Sequence, residues 1–148
     1  MEIKEVTANK KRYLSLLLLA DEQENMIDRY LERGTMFVLT DGGEIKGECV
    51  VTDEGDGILE LKNLAVEPAC HRMGYGKALI EFVAARYRGR YSILQVGTGD
   101  SPLTVPFYER CGFTRSHRVE NFFTEHYDHP IYEGGKQLVD MICLRKKL

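Results

Sequence analysis

The chain has 148 residues, the length of one ordinary domain, and we expect a single domain over residues 1–148. Its hydrophobic content of 43% and charged content of 29% are typical of a soluble globular protein. The net charge of -3 provides no overall positive field, which argues against nucleic acid or an anionic membrane as the partner.

The cysteines and the amino terminus predict a cytoplasmic protein. The four cysteines form no C-x-x-C pair, which favours reduced and mostly buried thiols over disulfides or a zinc site. Residues 1–6 lack the basic region and apolar core of a secretory signal. The longest apolar run, residues 16–20, falls far short of the ~20 residues that cross a bilayer. The cysteines are Cys49, Cys70, Cys111 and Cys143.

The first third of the chain predicts a strand followed by helix. Apolar and charged residues alternate over 2–6, which is typical of a short strand. Residues 10–33 predict a helix in two pieces broken near Asp21, where Asp21 and Glu24 have the spacing of a capping box. Gly34 ends the second piece. The apolar stripe of that piece comprises Met26, Ile27, Tyr30 and Leu31.

The next segment predicts an antiparallel meander. Two apolar runs, 36–39 and 45–51, flank an Asp-Gly-Gly turn at residues 41–43, a strong hairpin signal. A second turn at 53–57 leads into a strand over 58–66.

The remaining elements predict a parallel crossover and then two antiparallel strands. A helix over 74–87 and a strand over 91–96 follow the strand at 58–66, so the two strands are expected to be parallel. After them we predict a short helix at 103–111 and strands near 113–119 and 137–146, which flank a polar, aromatic loop. The last strand, which ends with the apolar residues 141–144, is available to pair across a dimer edge, so monomer and homodimer both stay open.

The segment from Ala65 to Leu79 carries the most specific signal. A strand ends at Val66, a loop with Gly74 and Gly76 follows, and a helix begins. Glycine lets the backbone approach a bulky anion closely, and the first helical turn presents free N–H groups at the positive end of its dipole. These features predict a pyrophosphate cradle, with Arg72 and Lys77 adding charge at its rim.

Two common phosphate motifs do not fit this segment. A dinucleotide fingerprint requires a third glycine where the chain has Leu79. A P-loop requires a glycine at His71 and a serine or threonine at Ala78.

The segment His71–Gly76 instead resembles the acetyl-CoA signature of the GNAT superfamily of N-acetyltransferases, Gln/Arg-x-x-Gly-x-Gly/Ala. His71 stands where glutamine or arginine is usual. Residues 108–113 resemble the Tyr-Glu-x-x-Gly-Phe element of the family, and the order of elements matches over residues 2–146. Residues 99–102 replace an asparagine that the family often carries before this tyrosine helix.

The resemblance implies the GNAT acyl-CoA N-acyltransferase fold: an α/β domain with a central mixed, mostly antiparallel sheet of about seven strands and helices on both faces. It implies acetyl-CoA as the cosubstrate, no metal, and a pantetheine arm that pairs like an added strand. The residues expected to bind the cosubstrate are Leu64, Ala65, Val66, His71, Arg72, Met73, Gly74, Tyr75, Gly76, Lys77, Asp100 and Ser101.

The implied reaction is acetyl transfer to a primary amine by direct attack in a ternary complex. The family places a tyrosine at Tyr108, where its hydroxyl protonates the departing thiolate, and a glutamate base at Glu60. Two plainer readings remain: Tyr108 as a sheet-facing aromatic, and Glu60 as a carboxylate paired with Lys62. Cys70 or Cys111 as an acyl carrier is the competing mechanism.

The late loop, residues 121–135, is the expected site of acceptor specificity because it is long for so small a domain. One interpretation is an aromatic and acidic wall facing a cationic amine; the other is a hydrogen-bonded lid. A metal site at His126, Asp128 and His129 lacks a further ligand cluster. The candidate acceptor-binding residues are Glu125, His126, Tyr127, Asp128 and Tyr132, with Glu133 adding negative charge.

The acceptor itself is open at this stage, because a fold does not identify a substrate. We expect a small-molecule amine, with a protein lysine as an alternative acceptor. Two alternatives without catalysis are a sensor that binds an acyl-CoA and a partner-binding module that exposes residues 14–19.

Overall fold

The computed structural model describes every residue from Met1 to Leu148. One seven-stranded sheet has the order β1-β2-β3-β4-β5-β9-β6, and β7 and β8 form a separate hairpin. The strands are β1 Glu2–Val6, β2 Thr35–Asp41, β3 Glu44–Asp53, β4 Ile58–Val66, β5 Ile93–Gly99, β6 Thr114–Val119, β7 Tyr132–Glu133, β8 Lys136–Gln137 and β9 Met141–Lys147. The helices are α1 Leu14–Ala20, α2 Glu24–Ile27, α3 Tyr75–Tyr87, α4 Val105–Arg110 and α5 Phe122–His126, with short 3-10 turns at Lys10–Tyr13 and Pro68–Cys70.

The sheet is antiparallel except at its centre. Only β4 and β5 run parallel, because α3 carries the chain back between them. All other neighbours, from β1 against β2 to β6 against β9, are antiparallel. The prediction of a mixed, mostly antiparallel sheet is confirmed.

Alternation along the strands divides the interior into two cores, one on each face of the sheet. In β2, Phe37 and Leu39 belong to the core beneath α3, whereas Met36 and Val38 belong to the core beneath α1 and α2. Leu79 and Val83 of α3, both fully buried, fill the first core. Leu17, Ile27 and Leu31 fill the second. The four cysteines are free and buried, as predicted.

The first helical region is shorter than predicted. Helix α2 ends at Ile27 and gives way to turns before β2, although the predicted stripe of Met26, Ile27, Tyr30 and Leu31 is buried. The predicted capping box is wrong. Gln23, not Asp21, is the N-cap, and it makes no side-chain cap bond. The carboxylate of Asp21 instead accepts hydrogen bonds from two tyrosines.

Two predictions about the end of the chain are also corrected. The segment 121–135 is not one loop, since α5 and the strand β7 lie within it. Strand β9 cannot pair across a dimer edge, because β5 and β6 occupy its two sides. β1 and β6 are the strands at the two edges of the sheet. None of the helices is both long enough and apolar enough to span a bilayer.

Candidate active site

A cleft opens where the two parallel strands part. β4 pairs with β5 only over residues 58–61 and 93–96. Beyond Leu61, β4 continues to Val66 with partners on its β3 side alone, while β5 continues to Gly99 with partners on its β9 side. The space between them belongs to a cleft of about 1210 Å³ that extends from the start of α3 to the segments around α1 and α5.

The loop before α3 offers a row of free backbone donors. No protein acceptor receives a hydrogen bond from the backbone N–H groups of residues 72–77. Arg72 and Gly74 have left-handed backbone angles, with φ of 67° and 83°, and helix α3 begins directly after them. Such a row of N–H groups at a helix N-terminus binds phosphate groups. A side chain at Gly76 would also approach the Phe107 ring, since its Cβ would lie 3.1 Å from Cζ.

Most of the predicted cosubstrate residues line this cleft: Leu64, Ala65, Val66, His71, Arg72, Gly74, Tyr75, Gly76 and Lys77. Three do not. The side chain of Met73 is exposed, and Asp100 lies 3.8 Å from both Arg118 and Lys136. Ser101 is buried, and its Oγ accepts a hydrogen bond of 3.1 Å from the backbone of Leu103.

Two residues of the loop have their polar groups occupied by the protein. The Nε2 atom of His71 lies 3.1 Å from the Val66 carbonyl oxygen, so the imidazole ties the loop to the end of β4. The Tyr75 hydroxyl donates a 2.7 Å hydrogen bond to Asp41. Both contacts hold the loop in shape, and the free backbone donors between them are left for a ligand.

Tyr108 lines the cleft and has a free hydroxyl. Its ring is buried against Phe107 and Phe113, at centroid distances of 5.1 and 5.6 Å. Its hydroxyl makes no hydrogen bond with the protein, although the residue lines the cleft. Burial, with the nearby charges of Cys111 and Glu133, raises the pKa of the phenol well above its usual value. The phenol is therefore neutral near neutral pH.

Glu60 lines the cleft with both carboxylate oxygens occupied. Its Oε1 accepts a hydrogen bond from Gln95, and its Oε2 lies 2.5 Å from the Lys62 ammonium. Gln95 in turn accepts a 2.8 Å hydrogen bond from Arg145. The ion pair with Lys62, the plainer of the two sequence interpretations, is present.

The predicted acceptor residues divide between the cleft and the surface. Tyr127 and Tyr132 line the cleft. Glu125, His126 and Asp128 do not. Glu125 is exposed, and the His126 ring packs on the Phe122 ring with a centroid distance of 4.7 Å. Asp128 bonds with His129, which also contacts Glu22 at 2.9 Å. Nowhere in the structure are three His, Cys, Asp or Glu side chains grouped to hold a metal.

The sequence did not reveal a polar cluster around Asp21. Tyr127 and Tyr30 donate hydrogen bonds of 2.7 and 2.9 Å to the two oxygens of Asp21. Burial nevertheless raises the pKa of this carboxyl. Asn63 of β4 donates to the Tyr30 hydroxyl at 3.1 Å. The sequence showed only that Asp21 lies between two helical patterns, and this position suggested a helix N-cap.

The buried cysteines are poorly suited to carry an acyl group. Burial raises the pKa of Cys111, which disfavours the reactive thiolate. Cys70 lines the cleft but makes no side-chain hydrogen bond to a base.

Comparison with known proteins decides the family. A family model described as an acetyltransferase (GNAT) domain matches residues 32–115. The chain belongs to the GNAT family of acetyltransferases. This GNAT protein is similar to the "Uncharacterized N-acetyltransferase YvbK" of Bacillus subtilis, with 34% identity over 87% of this chain and 84% of that protein.

Two solved GNAT structures resemble it over nearly their whole length. A GNAT acetyltransferase of Elizabethkingia anophelis with acetyl-CoA bound is 33% identical, with a TM-score of 0.94, over 99% of this chain and 97% of the other. A Bacillus subtilis acetyltransferase in complex with CoA is 31% identical, with a TM-score of 0.91, over 99% and 98% of the two chains. The GNAT fold is thus confirmed, and these two similar structures hold acetyl-CoA or CoA, the cosubstrate that the sequence resemblance implies.

Proposed function

We propose that this GNAT protein transfers the acetyl group of acetyl-CoA to the primary amine of a small molecule by direct attack within a ternary complex. The observation that carries the proposal is a single continuous cleft. It joins the free N–H groups of residues 72–77 to Tyr108 and to the polar cluster around Asp21. Donor and acceptor therefore have room to meet without a covalent carrier.

The donor side fits a long phosphorylated ligand. The free N–H groups of residues 72–77 would hold its pyrophosphate, with Arg72 and Lys77 at the rim. The side of β4 from Lys62 to Val66 that faces β5 has no strand partner. Its backbone groups would pair with the amides of the pantetheine arm as a strand does.

Tyr108 supplies the proton that the leaving sulfur requires. Its neutral hydroxyl is free to donate, because no protein group accepts from it. A thiolate leaves more readily when it is protonated as the bond to carbon breaks. A second group must remove the proton from the acceptor ammonium, and the sequence resemblance to the GNAT family implies Glu60 for this role.

The acceptor side fits a cationic amine with an apolar stem. Asp21, Glu22 and Glu133 supply negative charge, and Tyr127 and Tyr132 supply aromatic surface. This combination supports a small-molecule amine as the acceptor.

The test is turnover with a panel of acceptors. Release of free thiol from acetyl-CoA would be followed with alkyl monoamines, aromatic amines, polyamines and a lysine peptide at neutral pH. We expect release with at least one small amine and none without an acceptor. Saturable binding of acetyl-CoA without release by any amine would instead identify a sensor, and release with the peptide alone would identify a protein acetyltransferase.

A further inference from the structure

The carboxylates that line the cleft differ in whether a protein group occupies them. Asp21 accepts from two tyrosines, and Glu22 contacts His129. Glu60 is held by Lys62 and Gln95. Glu133 has neither a hydrogen bond nor an ion pair, although it is half-buried. It is the only cleft carboxylate that is free to bind a ligand with both oxygens.

The position of Glu133 is fixed by the β7–β8 hairpin. The neighbouring Gly134 lies near Leu103, just before helix α4, and a Cβ at Gly134 would make an ordinary van der Waals contact of 3.5 Å with that side chain. Leu138 closes the base of the hairpin with a 2.8 Å backbone hydrogen bond to Ile131. The hairpin therefore lies against the segment that leads into α4, the helix that carries Tyr108.

Glu133 is coupled electrostatically to groups on both sides of the cleft. Its negative charge contributes to the raised pKa of Tyr108 on the donor side. Its own pKa is raised by burial first and then by the charge of Glu22 on the acceptor side. Lys136 lies opposite on β8, but its ammonium is 3.8 Å from Asp100 and forms no ion pair with Glu133.

We propose that Glu133, rather than Glu60, is the general base that removes the proton from the acceptor ammonium. The inference rests on the proposed acetyl transfer and names a catalytic residue for it. The role follows from a free, half-buried carboxylate that lines the same cleft as Tyr108, in a space wide enough to admit the amine.

The protons and electrons of the reaction balance with these two side chains. The ammonium gives one proton to the Glu133 carboxylate, and the freed lone pair of nitrogen attacks the acetyl carbon. The carbon–nitrogen bond forms, the carbon–sulfur bond breaks, and its electron pair remains on sulfur. Tyr108 gives its proton to that sulfur and recovers one from the nitrogen, while Glu133 releases its proton to water. The products are the amide, the free thiol and one proton.

The raised pKa of Glu133 suits this role. A base works best when its pKa is near the pH at which the enzyme operates, and burial moves this carboxyl upward in that direction. The amine is also strongly basic, so its ammonium form predominates near neutral pH and must lose a proton before it can attack.

The experiment compares Glu133→Gln with Glu60→Gln and with the surface control Glu120→Gln, which lies outside the cleft. Each variant and the wild type would be assayed for kcat/KM toward the accepted amine from pH 6 to 10, and for acetyl-CoA affinity. For Glu133→Gln we expect a loss of about 100-fold at pH 7 with unchanged acetyl-CoA binding. The loss should shrink about tenfold per pH unit as the free amine becomes abundant.

The same series separates the possible failures. Wild-type activity retained by Glu133→Gln at every pH would overturn the assignment and leave the transfer reaction intact. A pH-dependent loss in Glu60→Gln alone would move the base to Glu60. If the wild type released no thiol with any amine, the proposed function would fail and the assignment would fail with it. Glu133→Asp, which keeps the carboxylate, should recover part of the lost activity.

Discussion

The two halves of the cleft are built in different ways. The donor half is mainly backbone, namely the free N–H groups of residues 72–77 and the unpaired side of β4 beyond Leu61. The acceptor half is side chains from distant segments, such as Asp21 and Tyr127, which meet across 106 positions of sequence. A backbone site tolerates most substitutions that preserve its shape, whereas a side-chain site changes with each residue. The donor half therefore suits a cosubstrate shared by a family, and the acceptor half suits a substrate that varies.

The largest effect should come from placing a charge in the donor half. Gly76→Glu adds a carboxylate where phosphates are expected and crowds Phe107. We expect acetyl-CoA affinity to fall about 1000-fold, since like charges brought together cost several kcal/mol. Isothermal titration calorimetry measures it, with Ala85→Glu on the exposed side of α3 as the control. Equal affinity in the two variants would show that the phosphates bind elsewhere.

Tyr108→Phe tests the junction between the halves. Removing the hydroxyl leaves the ring packing with Phe113 intact and removes the proposed proton donor. We expect kcat to fall about 100-fold with little change in acetyl-CoA affinity. Tyr91→Phe is the matched control, because its hydroxyl bonds to Asp53 outside the cleft. An unchanged kcat would leave Tyr108 as a packing residue only.

Glu48→Gln tests the interior behind the acceptor half. Glu48 is fully buried on β3, neither carboxylate oxygen has a partner, and burial raises its pKa well above the usual value. At pH values between the pKa of Glu48 in the unfolded chain and its higher pKa in the folded chain, the native state binds more protons than the unfolded state. The free energy of unfolding should therefore fall as pH rises. The slope is about 1.4 kcal/mol per pH unit across that interval.

The glutamine does not titrate, so Glu48→Gln should remove this slope. Urea unfolding between pH 4.5 and 8 measures it, with Glu44→Gln at the exposed start of β3 as the control. Parallel pH profiles for wild type and Glu48→Gln would contradict the prediction.

Tyr127→Phe should have the smallest effect and should be confined to the acceptor half. Asp21 would lose one of its two tyrosine donors, at a cost of about 1 kcal/mol in the free energy of unfolding. We expect a higher KM for the acceptor and an unchanged affinity for acetyl-CoA. A change in acetyl-CoA affinity of similar size would mean that the two halves are not independent.

The difference between a site built from local backbone and one built from distant side chains also explains which features the sequence could predict. The glycine loop is local, so one short segment was enough to predict the loop and helix start around Gly74 and Gly76 and, through the family resemblance, the sheet. Asp21 looked like a helix cap because its partner Tyr127 is remote in sequence. The free state of Glu133 and the occupied state of Glu60 depend on contacts such as Gln95 to Glu60, which no pattern along the chain displays.

The place of β9 was missed for a similar reason. Its apolar residues 141–144 suit an edge pairing or a central strand equally well, and the return of β6 to its far side decides between them. The helix α5 within residues 121–135 is short, with no buried residue, so it leaves little hydrophobic periodicity to detect.

The parting of β4 and β5 also divides the molecule mechanically. Four strands lie on one side of the gap and three on the other, and they are joined in the sheet only over residues 58–61 and 93–96. A ligand lying in the gap would connect the four-stranded and three-stranded parts of the sheet. Because it binds only the folded chain, acetyl-CoA would stabilise the fold as well as react. The free energy of unfolding would then be lowest after the free thiol product has left the cleft.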